Sequence, residues 1–424
     1  MIVEFSVKNF RSIKELQTIS FAATGLKSST ENSIVDENNI VVVNGVRLLK
    51  TIGIYGSNAS GKSNIVKALD YFLRVISFEA SSESKLDLLC DPFLFQEDSY
   101  ISESFFQIIF MMESKKFRYG FTVKRNSNDF LNPEEKFSRE IITSEWLFGT
   151  KEKNMVEYFI RKGQDVNKEK MPNNDKIPPL PYNHTLFLTH SAAFDKESET
   201  SKIKTTLSSW IFSNINKNFD LFRWSSLLII EKLDKKTEFL KILSSFDLNY
   251  SDIDIQYDSN EKGALNIALE KIYLTKSYYN SSNGIESFVK LNLSNNESSG
   301  TQKLFDLVGA LYLAFNMKIS SIFIIDEIDS NFHPTLLIKL ITLFNNPEVN
   351  ISKSQLLFTS HDTNLLSPTI MRRDQFYFTE KNEYNSTRLY SLVDLKGIRN
   401  DADFAKQYLA GFYGALPILN DYKN

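Results

Sequence analysis

Val3, Phe5 and Val7 alternate with more polar neighbours at the start of the chain, the period-two pattern of a strand with one buried face. The same pattern predicts strands over Ile2–Val7, Leu16–Phe21, Ile40–Val43 and Leu48–Tyr55. A second group follows at Phe105–Met112, Phe117–Lys124, Ile141–Phe148 and Met155–Arg161. Between the groups the period changes: after Gly61, residues Ile65, Leu69, Phe72 and Ile76 recur at the spacing of an amphipathic helix. From Lys162 to about Pro181 the chain is polar and carries Pro172, Pro178, Pro179 and Pro181, which marks a loop or boundary. Ser201–Phe246 reads as helical, with Trp210, Ile211, Leu240 and Leu243 among its expected buried residues. A polar stretch, Tyr279–Gly284, precedes a last third in which strand and helix alternate, the arrangement of an α/β sheet. These changes divide the chain at 1–161, 162–284 and 285–424.

The strand ending at Tyr55 runs into Gly56-Ser57-Asn58-Ala59-Ser60-Gly61-Lys62-Ser63, and the helix follows at once. Glycine lets a backbone turn through positive φ and come close to phosphate. The N–H groups of such a loop at a helix N-terminus form an anion-binding nest. In that setting Lys62 is placed to reach β- and γ-phosphates and Ser63 to ligate magnesium.

Ser321-Ile322-Phe323-Ile324-Ile325 is an apolar run that ends in Asp326-Glu327, which suits a central parallel strand buried on both faces. Ligands bind at the carboxyl ends of such strands. Asp326 is then a magnesium carboxylate and Glu327 the group that polarises an attacking water. Taken alone, the two acids are as readily a solvated turn; the phosphate loop upstream changes that balance. Another strand, Gln355–Thr359, ends at Ser360-His361-Asp362, where a histidine can hydrogen-bond a γ-phosphate. Glu297-Ser298-Ser299-Gly300-Thr301-Gln302 precedes a helix bearing Leu304, Leu307, Val308, Leu311 and Phe315. Ser298 is a good N-cap there, and in isolation the segment is only a capped core helix.

Phosphate loop, serine–glycine segment, acidic pair and histidine, in that order, resemble the layout of ABC-type ATPases. The opening Lys8-Asn9-Phe10-Arg11-Ser12-Ile13 and Asn58 within the loop are similar to the SMC, RecF and OLD-like class. Pro92-Phe93, Arg118-Tyr119-Gly120-Phe121, Glu297 through Thr301, Asp326 through Pro334 and Tyr408 through Pro417 resemble the AbiLi/RloA abortive-infection branch. The likeness covers roughly Met1–Ile160 and Ile285–Leu419. It implies an α/β fold: an ABC-type P-loop head with a mixed β-sheet, flanking helices and an antiparallel β lobe, carrying a largely helical insertion. It implies ATP and Mg2+ as cofactors, held by Gly56 through Ser63 and by Asp326. It also implies that Ser298 and Gly300 contact the γ-phosphate held by Lys62 of a second copy. Asp329-Ser330-Asn331 would sit at the same interface, and Arg11 would touch phosphate within its own chain.

The same resemblance implies a homodimer or larger oligomer through ATP-bound heads, and antiphage defence beside a separately encoded effector, a nuclease or other toxin. Two departures stand out. The signature reads Glu-Ser-Ser-Gly, without the usual leucine and first glycine, and the Q-loop glutamine has only Gln96 and the strand-like Gln107 as candidates.

Composition narrows the alternatives. A net charge of −3 over 424 residues argues against a nucleic-acid-coating protein but leaves room for one basic groove. A RecF-like DNA-binding repair ATPase is the second reading because size and layout agree, although the sequence offers no obvious lysine–arginine cluster. The single Cys90 excludes an internal disulfide framework and fits a reducing compartment. No apolar run approaches the roughly 18 residues of a membrane span, and no leader pattern opens the chain, so a cytoplasmic protein is expected. Sustained heptads are missing, which argues against long SMC arms, and Lys62 lies too far from Ser298 for a transporter subunit. After His361 about sixty residues remain, too few for a second catalytic domain. His184 and His190 are expected to be packing residues.

Overall fold

A computed structural model describes residues 1–77, 86–125, 140–151, 154–209, 211–214, 220–256, 271–279, 286–316, 320–330 and 332–417. The chain opens with β1 (Ile2–Lys8), β2 (Gln17–Ser20), α1 (Ser33–Asn39), β3 (Ile40–Val43), β4 (Val46–Leu49), β5 (Thr51–Gly56) and α2 (Lys62–Ser77). Next come α3 (Glu97–Ile101), β6 (Ser104–Met112), β7 (Lys115–Lys124), β8 (Ile141–Lys151) and β9 (Asn154–Lys162). The middle supplies β10 (Asp165–Asn167), α4 (Phe187–Phe194), α5 (Glu199–Ser209), β11 (Ile211–Ser213), α6 (Asp220–Leu227), α7 (Lys236–Ser245), β12 (Asp252–Ile255) and β13 (Ile272–Tyr279). The last part holds β14 (Glu286–Asn292), α8 (Ser299–Asn316), β15 (Ile322–Ile325), α9 (Pro334–Asn345) and β16 (Gln355–Thr359). It ends on β17 (Phe376–Lys381), β18 (Thr387–Ser391) and α10 (Phe404–Leu409).

Two sheets carry the architecture. In the first, β11, β15, β16, β5 and β17 lie side by side in parallel, and β18 closes the edge antiparallel. The second is an antiparallel lobe in the order β10-β9-β8-β7-β6-β1-β2. Strands buried on both faces need apolar residues at odd and even positions alike. Ile52, Ile54, Ile322, Ile324 and Leu357 accordingly enter one core, while Tyr55, Phe323, Ile325, Leu356 and Phe358 enter the other. The α/β class expected from the alternation in the last third holds, as a mixed sheet with an added antiparallel lobe.

Helix α2 carries the phosphate loop at its start and lies between the two sheets, with Ile65, Val66, Leu69, Phe72 and Ile76 all buried. The Phe72 ring stands 5.6 Å from Phe5 and 5.1 Å from Phe121 of the antiparallel lobe. Burying such a ring contributes roughly 1.5–3 kcal/mol, so the loop is mounted on a rigid base.

Two expectations are revised. The apolar run Leu48–Tyr55 is not one strand but β4 and β5, which belong to different sheets. The break falls at Lys50, whose buried side chain donates to the carbonyls of Asn38 and Asn345. The stretch Ser201–Phe246 is not one helix. It divides into α5, β11, α6, a π-turn over Leu228–Lys232 and α7. Ile211–Ser213 pairs in parallel with Ile322–Ile324, because the free edge of the central sheet offers the backbone hydrogen bonds that outweigh local helical preference. Trp210 lies outside the described residues, as do Tyr279–Gly284 beyond Tyr279 itself.

The middle segment is held to both layers. Glu145 of β8, fully buried, accepts from the backbone N–H groups of Phe187 (2.6 Å) and Leu188 (2.9 Å) at the start of α4 and from the Tyr119 hydroxyl (3.0 Å). Its counter-charge is the equally buried Arg161, 3.3 Å away. On the opposite side, α6 packs on α8, and Ser226 donates to the Phe305 carbonyl at 2.8 Å. His190 contacts the Pro178 carbonyl at 2.9 Å, and His184 stacks on Tyr182. Among the described residues no helix is long and apolar enough to cross a membrane.

Candidate nucleotide site

The loop between β5 and α2 turns through φ values of +150° at Gly56, +61° at Ala59 and +106° at Gly61. Its two glycines are required by crowding as well as by φ. A Cβ on Gly61 would collide with Thr387 Oγ1, and one on Gly56 with the carbonyl of Thr379. The loop is thus pressed against the hairpin β17–β18. Ser60 Oγ lies 2.6 Å from Thr379 Oγ1, and Thr387 Oγ1 donates to the Ser60 carbonyl at 2.9 Å. The opening loop of the chain joins the same brace. Ser12 Oγ lies 2.7 Å from Thr387 Oγ1 and accepts from Asn64 Nδ2 at 2.7 Å. Lys62 is buried and folds back to donate to the carbonyls of Gly56 (2.9 Å) and Ser57 (3.0 Å). An ammonium has three donors, so this arrangement leaves one for a phosphate oxygen.

Strand β15 delivers Asp326 and Glu327 to the same end of the sheet. Ser63 Oγ donates to Asp326 Oδ1 at 3.1 Å, across 263 residues of sequence. Thr359, at the end of β16, donates to the same oxygen at 2.6 Å and accepts from the Glu327 N–H at 2.8 Å. That bond holds Glu327 at φ +51°, a conformation strained for a residue with a side chain. On the other flank Asn214, just past β11, exchanges two hydrogen bonds with the Asp326 backbone, at 2.8 Å and 2.9 Å. Glu327 also borders a cavity of about 40 Å³ shared with Asn214, Lys303 and Ser330, which has room for water.

His361 follows β16, and its backbone N–H donates to Asp329 Oδ2 at 3.2 Å. The surrounding walls and then the Lys62 ammonium push the His361 pKa down, against the nearby carboxylates of Asp329, Glu327 and Asp326. Burial likewise lowers the Lys62 pKa, while Asp326, Asp329 and Glu327 oppose the shift. One cation therefore faces three carboxylates at the mouth of an N–H-lined loop. The hydroxyl of Ser63 and the carboxylate of Asp326, already in contact, are hard oxygen donors of the kind that would hold magnesium together with phosphate oxygens.

Not every candidate joins this cluster. Arg11 pairs with Asp91 at 2.9 Å and lies over the rings of Phe10 and Tyr71; its neighbour Ser12 is the residue that reaches the loop. Ser298 caps α8, accepting from the Thr301 N–H at 3.2 Å. Among the described residues no hydrogen bond or ion pair links Ser298 or Gly300 to the phosphate loop. Gln107 sits within β6 and accepts from Trp146, and Gln96 precedes α3. Asn331 lies outside the described residues. Sequence reasoning missed Ser12, Asn214, Thr359, Thr379 and Thr387. The one usable signal was Ile211-Phe212-Ser213-Asn214, which has the same form, apolar strand then polar end, as the two strands that carry Asp326 and His361.

The family described as "AAA domain, putative AbiEii toxin, Type IV TA system" matches residues 52–367, well over half of the chain. No curated protein matches the sequence. Among solved structures, the SMC head domain from Thermotoga maritima aligns over 92% of this chain and 98% of its own, with 12% identity and a TM-score of 0.42. With the matched region spanning phosphate loop, acidic pair and His361, the chain belongs to this AAA-domain family of P-loop ATPases.

Proposed function

We propose that this chain binds magnesium–ATP, hydrolyses it, and works as the nucleotide-driven switch of a bacterial antiphage system with a separately encoded effector. The observation that carries the hydrolytic part is the junction at Asp326, where one carboxylate oxygen receives both Ser63 of the phosphate loop and Thr359 of the neighbouring strand. The loop N–H groups and Lys62 bind the β- and γ-phosphates. Ser63 and Asp326 hold the magnesium ion, which when bound neutralises phosphate charge. Glu327 orients a water whose oxygen attacks the γ-phosphorus as the bond to the bridging oxygen breaks, releasing ADP and phosphate. His361 donates a ring N–H to the γ-phosphate.

Ser298, Gly300 and Asp329 act at the interface of an ATP-bound homodimer. Two observations support that assignment: Ser298 stands exposed at the N-terminus of α8, and Asp329 is hydrogen-bonded to His361. The defence role rests on the family description, which names an AbiEii toxin and a Type IV TA system. Such a switch has two states with different affinity for its effector, and ATP biases them only through differential contacts.

Glu327→Gln should retain ATP and slow turnover by about 10²–10⁴-fold, the usual worth of a positioned base. Lys62→Ala should weaken nucleotide binding itself. Mixing Ser298→Arg with Lys62→Ala protein should restore activity, since one mixed dimer contains one intact composite site. Unchanged turnover in the Glu327 variant overturns the hydrolytic reading; no complementation in the mixture overturns the dimer.

A further inference from the structure

The acidic pair is clamped from two sides, and the two clamps come from different parts of the chain. Thr359 belongs to β16, the next strand of the central sheet. Asn214 belongs to the middle segment, at the end of edge strand β11. The regular ladder of β15 with β11 stops two residues before Asp326, at the bond from the Asn214 N–H to the Ile324 carbonyl (3.3 Å). A primary amide has the donor and acceptor of a peptide group. Asn214 uses both on one residue: its Oδ1 accepts from the Asp326 N–H at 2.8 Å, and its Nδ2 donates to the Asp326 carbonyl at 2.9 Å. The side chain thereby adds one more rung to the ladder at the residue whose carboxylate meets Ser63.

The preceding residue ties the same strand to the phosphate-loop helix. Ser213 hydrogen-bonds Asp70, a fully buried carboxylate of α2 that also pairs with Arg74. Three residues of β11 and its end, Phe212 to Asn214, thus bridge the helix behind the phosphates and the acids in front of them. Phe212 supplies the anchor by stacking on Phe323 at 4.7 Å.

We propose that Asn214 is a positioning residue for the metal–nucleotide site, holding the Asp326 backbone so that its carboxylate stays aimed at Ser63. This rests on the reading of Asp326 as the magnesium carboxylate. It makes the middle segment part of the nucleotide site: displacing β11 withdraws the clamp without touching a phosphate-binding group.

The test measures metal binding directly, apart from turnover. Mn2+ serves as a paramagnetic stand-in for magnesium and is titrated into the full chain saturated with a non-hydrolysable ATP analogue, free Mn2+ being read by electron paramagnetic resonance. Asn214→Ala removes both hydrogen bonds, and Asn214→Leu removes them while keeping the branched shape of the side chain. Loss of a partner that orients a metal ligand typically weakens metal binding about 10–100-fold, and a shift of that size is expected for both variants. Metal-free binding of the analogue should stay within about twofold, because the loop N–H groups and Lys62 are unaltered. Phe239→Leu, which thins the core where α7 packs on Phe305 of α8, should lower the unfolding midpoint yet leave Mn2+ affinity at the wild-type value. Wild-type Mn2+ affinity in both Asn214 variants overturns the proposal. So does an equal loss in Phe239→Leu, which would make general destabilisation, and not the amide, the cause. Wild-type protein that binds no Mn2+ with the analogue would instead sink the magnesium reading of Asp326, and this proposal with it.

Discussion

Replacing Thr359 by valine isolates the second clamp on the acidic pair. The side chain is fully buried, and valine keeps its branched shape while removing the hydroxyl. It deletes two bonds: the 2.6 Å bond to the Asp326 carboxylate and the 2.8 Å bond from the Glu327 N–H. A hydrogen bond to a charged group contributes about 1.5–3 kcal/mol and a neutral one about 1 kcal/mol, so about 3 kcal/mol is at stake. Asp326 keeps Ser63 but loses its shorter partner, and Glu327 loses the bond that holds its left-handed backbone, so both acids lose part of their placement. At about 1.4 kcal/mol per decade, 3 kcal/mol corresponds to a turnover loss of about a hundredfold. Steady-state phosphate release at saturating magnesium–ATP measures it, with metal-free nucleotide binding as the control. Thr359→Ser, which keeps the hydroxyl, should recover most of the rate. Turnover within twofold of wild type in Thr359→Val, or a serine variant as slow as the valine one, would refute the reasoning.

His361 has its pKa lowered by the surrounding walls and by Lys62, so its NMR titration midpoint in nucleotide-free protein should fall below the ordinary histidine value of about 6.5; a midpoint at or above it would contradict the arrangement. With the folded value below the unfolded one, the His361 contribution is complete above the unfolded pKa and is lost as pH falls through the folded pKa, so His361→Gln should flatten the acid side of the stability profile. Glu145→Ala strands the buried Arg161 and uncaps α4, which should cost about 3–5 kcal/mol in denaturant unfolding, and a second change, Arg161→Met, should return part of it. A single-variant loss under about 1 kcal/mol would show that the pair is solvated.

Some of this protein is legible in its sequence because the physics is local. A glycine at each end of the phosphate loop, a lysine and a serine at a helix start, and an apolar run ending in two acids each have consequences within a few residues. Gly56 and Gly61 sit at positive φ for that reason, and Ile322–Ile325 is apolar at every position because both faces of the strand are covered. Period-two alternation likewise placed the strands of the antiparallel lobe, where each residue's burial depends on its own side of the sheet.

The tertiary structure alone decided which polar residues act together. Ser63 meets Asp326 across 263 residues, and nothing in either neighbourhood specifies that distance. Ser12, Thr379 and Thr387 brace the phosphate loop, and Asn214 and Thr359 clamp the acids, yet in sequence they are ordinary polar residues beside strands. A hydroxyl or amide hydrogen-bonds whatever the fold brings within about 3 Å, so its partner is a property of packing and not of spacing along the chain. The edge strand Ile211–Ser213 makes the same point for the backbone. Its residues carry no stronger local preference than the helices around it, and they become a strand because the central sheet has an open edge beside β15.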